Sequence, residues 1–147
     1  MHKIALILHL LGATIWVGGH LYLIIRLMPN FIKNNDVASF LAFEKSYEPL
    51  GMTALAVQVI TGVYMLNNIL PISLWWSPMG ALTALIHAKL TWLVLTILTA
   101  MSARFGVVAK LENDTHNKNT LKIMGVHVLL VNIWAIGFVI TGAFFRW

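Results

Sequence analysis

Residues 4–28, IALILHLLGATIWVGGHLYLIIRLM, constrain this chain more than any other stretch. The run is long enough to cross a bilayer, which takes about 20 apolar residues, yet it carries His9 and His20. Their separation is three helical turns at ~3.6 residues each, so both project from one face, roughly 16 Å apart in depth. Imidazoles inside hydrocarbon are costly unless they face a partner. The rest of the sequence has to say what they face.

Three further apolar spans follow, at about 50–70, 80–103 and 123–145. Of 147 residues, 59% are hydrophobic and 10% charged. A soluble domain carries about 25% charged residues. The expected fold is therefore all-α: one integral membrane four-helix bundle, up-down-up-down, in a single domain. Cysteine is absent, which excludes disulfides, thiolate metal sites and iron–sulfur clusters. The net charge of +5 comes from basic residues flanking the spans, a topology signal, so nucleic acid is not an expected partner. Lys3 and the run after it could suggest a cleaved signal peptide. The run exceeds the ~7–15 residues of such a segment and lacks a small-x-small site, so it is read as a retained span.

Arg26, Lys33, Lys45, Arg104, Lys110, Lys118 and Lys122 lie in or beside the loops after spans one and three, against Lys3 and Arg146 on the other side. The bias predicts both termini periplasmic in a bacterial inner membrane. Asp36 is expected to cap a short amphipathic helix bearing Val37, Phe40, Leu41 and Phe43, and Pro49 to open the second span. Trp75 and Trp76, in PISLWWSPMG, suit a membrane–water interface. VITG occurs at 59–62 and again at 139–142, and LHLLGATIW loosely resembles IHAKLTW. A two-helix duplication would account for both.

Alternating helices turn sequence position into depth. His9 and His87 then share an outer layer, and His20 and His127 an inner one. At ~100° per residue, His9, Ala13, Trp16, His20, Leu23 and Leu27 form one stripe, bordered by Gly12 and Gly19, which would admit a close neighbour or a flat ligand. Met124, His127, Asn132 and Trp134 are the polar or polarizable positions of span four. Paired imidazoles on facing helices suit b-type haem. Imidazole with thioether suits copper, for which the inner layer offers Met52, Met101 and Met124, and the outer layer Met65 or Met79. Lys89 points ~200° away from His87, and no acidic residue lies within any span to pair with it. A haem propionate would be a fitting partner for it; a copper cation would not. His2 and His116 sit in exposed segments, and Gln58 and Asn132 are read as interhelical hydrogen-bond residues.

LHLLGATIWVGG, with the tyrosine and arginine of LYLIIRL, is similar to the first helix of the CopD copper-resistance family and of the related HemJ-type membrane proteins. FEKSYEPLGMTALAVQVITGVYML resembles the second helix of both groups, and IHAKLTWLVL the histidine–lysine helix of HemJ-like proteins. The resemblance implies copper uptake in the first case, and haem b with protoporphyrinogen oxidation in the second. It matches His9 to the first-helix histidine and Lys89 to the third-helix lysine. The chain departs from HemJ-like proteins at Thr99, Ala100 and Met101, where they carry a histidine, and at His20, where they are apolar.

The resulting expectation is a haem-b protein that moves electrons across the membrane, a candidate oxidoreductase. His9 with His87 would hold one haem and His20 with His127 a second. Lys89 would meet a propionate, and Trp16 and Trp134 would pack on porphyrin faces. Copper handling through the same histidines with Met52, Met101 and Met124 is the alternative, and a cofactor-free assembly subunit the third reading. The bilayer is the expected environment, with a quinone, a redox protein or a second copy as candidate partners.

Overall fold

The computed structural model describes residues 2–77, 80–113 and 118–144, and every regular element among them is helical. Four long helices dominate: α1 (His2–Asn34), α2 (Val37–Ile69), α3 (Ala81–Asn113) and α4 (Lys118–Ala143). Each is long and apolar enough to cross a bilayer. A helix satisfies its own backbone hydrogen bonds, which hydrocarbon demands. Exposed Ile4, Ile7, Leu8, Leu11, Ile60 and Val126 give these helices a lipid-compatible exterior. The chain is a multi-pass membrane protein.

Contacts fix the register. Tyr47 on α2 donates to the carbonyls of Ile15 and Trp16, while His9 reaches Thr61, so α1 and α2 run antiparallel. Trp92 donates to Thr141 and Trp134 to Thr99, so α3 and α4 do the same. Asn132 donates to the His20 carbonyl and ties the two hairpins together, the interhelical role expected of it. Gly19 is where Tyr47 crosses α1: a methyl group there would collide with the phenol.

A 33-residue helix is ~50 Å long, against ~30 Å of hydrocarbon. The surplus lies at the end opposite the termini, called here the loop end. There Met28, Phe40, Val108, Leu111 and Leu121 belong to the largest cluster of buried residues among those described. Phe40→Ala should cost about 3–5 kcal/mol, read as a lowered thermal midpoint in detergent.

Two boundaries differ from the sequence expectation. The segment after Asp36 is not a short separate helix, and Pro49 does not start one: α2 runs unbroken through Pro49. Pro49 removes one hydrogen bond to the Lys45 carbonyl, but both residues are exposed there, so water can replace it. The polar connection expected at 104–122 is helical to Asn113 and again from Lys118. His116, Met79 and Arg146 lie outside the described residues.

Asp36 does cap α2. Its Oδ1 accepts the Ser39 amide at 3.0 Å. Hydrogen bonds from the Ser39 side chain and backbone hold the carboxyl below its usual range. A depressed pKa means the cap stabilises the helix above the unfolded value, about pH 4, and is lost as pH falls through the folded one. Asp36→Ala should speed amide exchange in the first turn of α2, and the difference from the parent should vanish on acidification.

The two hairpins share an internal pattern. The spacing that separates Gly62 from Gly142 also separates Thr61 from Thr141 and His9 from Lys89. α1 carries a π-helical segment at Leu23–Leu27, and the same spacing lands inside the π-helical segment of α3, Ser102–Val108. Such segments are rare and recur at functional sites.

Candidate functional site

The hairpins α1–α2 and α3–α4 enclose a cavity of about 750 Å³ in the half nearer the termini. Ligand sites span roughly 300–1,000 Å³, mostly apolar with a few placed polar groups, and this one conforms. Its ionisable residues are His9 and Lys89.

His9 sits against α2. Its Nδ1 lies 3.0 Å from the Gln58 carbonyl and 3.1 Å from Thr61 Oγ1. A carbonyl only accepts, so the partner assigns the proton of the neutral ring to Nδ1 and leaves the Nε2 lone pair unengaged. The Thr61 hydroxyl donates to the Val57 carbonyl at 2.6 Å, so its oxygen can accept from His9. Gly62 makes the seat possible: a Cβ there would stand 3.2 Å from His9 Cε1. Gln58 therefore supports the histidine through its carbonyl, which sequence reasoning did not foresee.

Lys89 is the counterpart in the second hairpin. It is only 7% exposed, and its ammonium stands 5.0 Å from the centre of the Phe138 ring. A Cβ on Gly142 would stand 3.3 Å from its Nζ. The repeated VITG thus packs one glycine under His9 and the other under Lys89. Gln58, Thr14 and Thr96 add neutral polar groups to the wall.

The expected pairing of His9 with His87 is not formed. His87 and Lys89 diverge by ~200° on α3, so only one of them can face the cavity. Lys89 does. His87 turns to the α2–α3 connection, its Nε2 donating to the Trp75 carbonyl at 2.9 Å and its ring stacked on Trp76.

His20 and His127 both line a second, smaller cavity of about 130 Å³ at the loop end. Its size suits a few water molecules and is far below a porphyrin's needs. His127 is fully occupied: Nδ1 donates to the Ile123 carbonyl at 3.0 Å and Nε2 accepts from Ser102 Oγ at 3.1 Å. His20 donates Nδ1–H to the Trp16 carbonyl at 2.8 Å, which leaves its Nε2. Its ring lies 4.4 Å from Trp16 and 5.6 Å from Tyr47. Met52 and Met124 line this cavity and Met101 does not; Met65 is packed away from both. Arg104 bridges Glu48 and Glu112 beside it, at 3.3 and 3.4 Å. No group of three or more His, Asp or Glu able to hold a bare metal ion occurs among the described residues.

Trp16 lines both cavities and forms the partition between them. Trp134 lines neither. It stacks on Trp92 at 5.7 Å, and Gly137 leaves the room that Trp92 fills. The expected role of Trp134 on a porphyrin face is therefore corrected to one in α3–α4 packing. Comparison with known families, characterised proteins and solved structures finds no match, so the site has to be read from its own geometry.

Proposed function

We propose that the chain is an inner-membrane b-type haem protein with a single haem, held between the hairpins by His9. The observation that carries this reading is the state of that imidazole. A metal-bound histidine typically donates its second nitrogen to a carbonyl, which fixes the ring and raises its basicity. His9 already does so toward Gln58, with Nε2 left for iron. Lys89 would meet a propionate, and Trp16 would form the floor. When bound, haem supplies one-electron redox chemistry. The protein contributes the ligand, the buried cation and exclusion of water. A quinone or a redox protein would exchange the electrons, and the termini would lie on the periplasmic side.

The loop-end pair does not fit a second haem, given the 130 Å³ cavity and the engagement of both His127 nitrogens. Copper handling would have to rest there on His20 Nε2 with Met52 and Met124.

The test is the reduced-minus-oxidised visible spectrum of detergent-purified protein. A Soret band that sharpens on reduction is expected; a colourless preparation that binds Cu(I) would overturn the proposal. Trp134→Phe should leave the spectrum unchanged, because its side chain does not line the cavity.

A further inference from the structure

His87 is the one histidine of the expected set whose ring is committed to the connection between α2 and α3. Trp75, whose carbonyl it holds, is the sole cavity-lining residue outside the four helices among the described residues. The two adjacent tryptophans behave oppositely: Trp75 is 4% exposed and Trp76 is 74% exposed. Trp75 packs with Leu66 and Ile86 at the termini end of the cavity, its indole donating to the Leu70 carbonyl at 2.8 Å. Trp76 lies over the His87 ring, 5.3 Å between centroids. Trp75 therefore stands on the cavity wall toward the termini end, held at both its side chain and its backbone.

The flank is different. Leu10 and Thr14 on α1 and Val139 on α4 all line the cavity, and all present exposed surface. In a chain that spans a membrane, that surface faces lipid. In a bilayer that flank would meet hydrocarbon, while Trp75 stands toward the end of the helices that carries the termini.

We propose that this cavity is loaded sideways from the bilayer by an amphiphile with an anionic head, and that Trp75, latched by His87, seals it from water. The apolar walls would take the body of the ligand and Lys89 its head group. Haem is one such amphiphile. The inference nevertheless stands apart from the haem reading, because the route is the same for any ligand of that class. It also gives His87 a positioning role that leaves ligand chemistry to His9 and Lys89.

The absence of cysteine makes the route measurable. Ala13, half-buried in the cavity wall, can be changed to Cys with little change in volume. In lipid nanodiscs, where both aqueous faces are reachable, A13C should react with the lipid-soluble N-ethylmaleimide and resist a sulfonated maleimide. Adding His87→Ala removes one hydrogen bond from the latch and should speed the sulfonated reagent by roughly five- to tenfold. His87→Gln, which can still donate to the Trp75 carbonyl, should restore most of the protection. Circular dichroism of each variant separates a released latch from lost structure. Resistance of A13C to N-ethylmaleimide would overturn lateral access. Equal reactivity with both reagents before His87 is changed, or no gain with His87→Ala, would overturn the seal. None of these readouts requires haem, so failure of the haem reading would be seen separately in the visible spectrum.

Discussion

His9→Ala should abolish the haem spectrum. The substitution removes the one imidazole among the described residues that lines the large cavity. His87 donates its Nε2 to Trp75, His127 accepts from Ser102, and His20 lies beyond the Trp16 partition. The fold should survive, because Gln58 loses only a second donor to a carbonyl already within a helix. Loss of colour with unchanged helicity and gel-filtration behaviour is the expected result. His9→Gly leaves space for a free imidazole, so added imidazole should restore part of the absorbance. Colour that persists in His9→Ala would move the ligand elsewhere.

Lys89→Met should weaken haem retention while leaving the absorbance maximum in place. The methionine keeps most of the buried stem and deletes the charge. A charge-assisted hydrogen bond is worth about 1.5–3 kcal/mol. The dissociation constant should therefore rise roughly ten- to a hundredfold, measured by transfer of haem to a scavenger protein. A shifted maximum would instead place the lysine on the iron. Unchanged affinity would show that its ammonium does not hold the haem.

Much of this molecule is legible in its residues, and the failures have physical causes. Hydropathy exposes the spans because lipid demands a helix there. It says little about helices that outrun the membrane, so the continuity of α2 through Pro49 was hidden behind a residue that ordinarily punctuates. Depth could be counted from sequence: it grouped His9 with His87 and His20 with His127, and the second pair does line one cavity. Direction around the helix was harder. The ~200° between His87 and Lys89 shows that they part, but not which of them turns inward. Lys89 does because it packs against Gly142, a contact between distant residues. The same holds for Trp134, whose orientation depends on the space left by Gly137 for Trp92.

The most informative missed signal was the repeated VITG. Read as a weak echo, it marks the two glycines that seat His9 and Lys89, and its spacing equals theirs. Thr61, the VITG threonine beside His9, was missed with it. Trp75 was read as an interfacial aromatic, whereas the fold buries its indole and sets it on the cavity wall.

One haem at one site is the expected holo state of the chain. Its most direct measurement is the haem-to-protein ratio of purified chain, by pyridine haemochrome against amino-acid analysis. One haem per chain is expected, unchanged in His20→Ala and lost in His9→Ala. Two haems, none, or a single haem that follows His20 would contradict it.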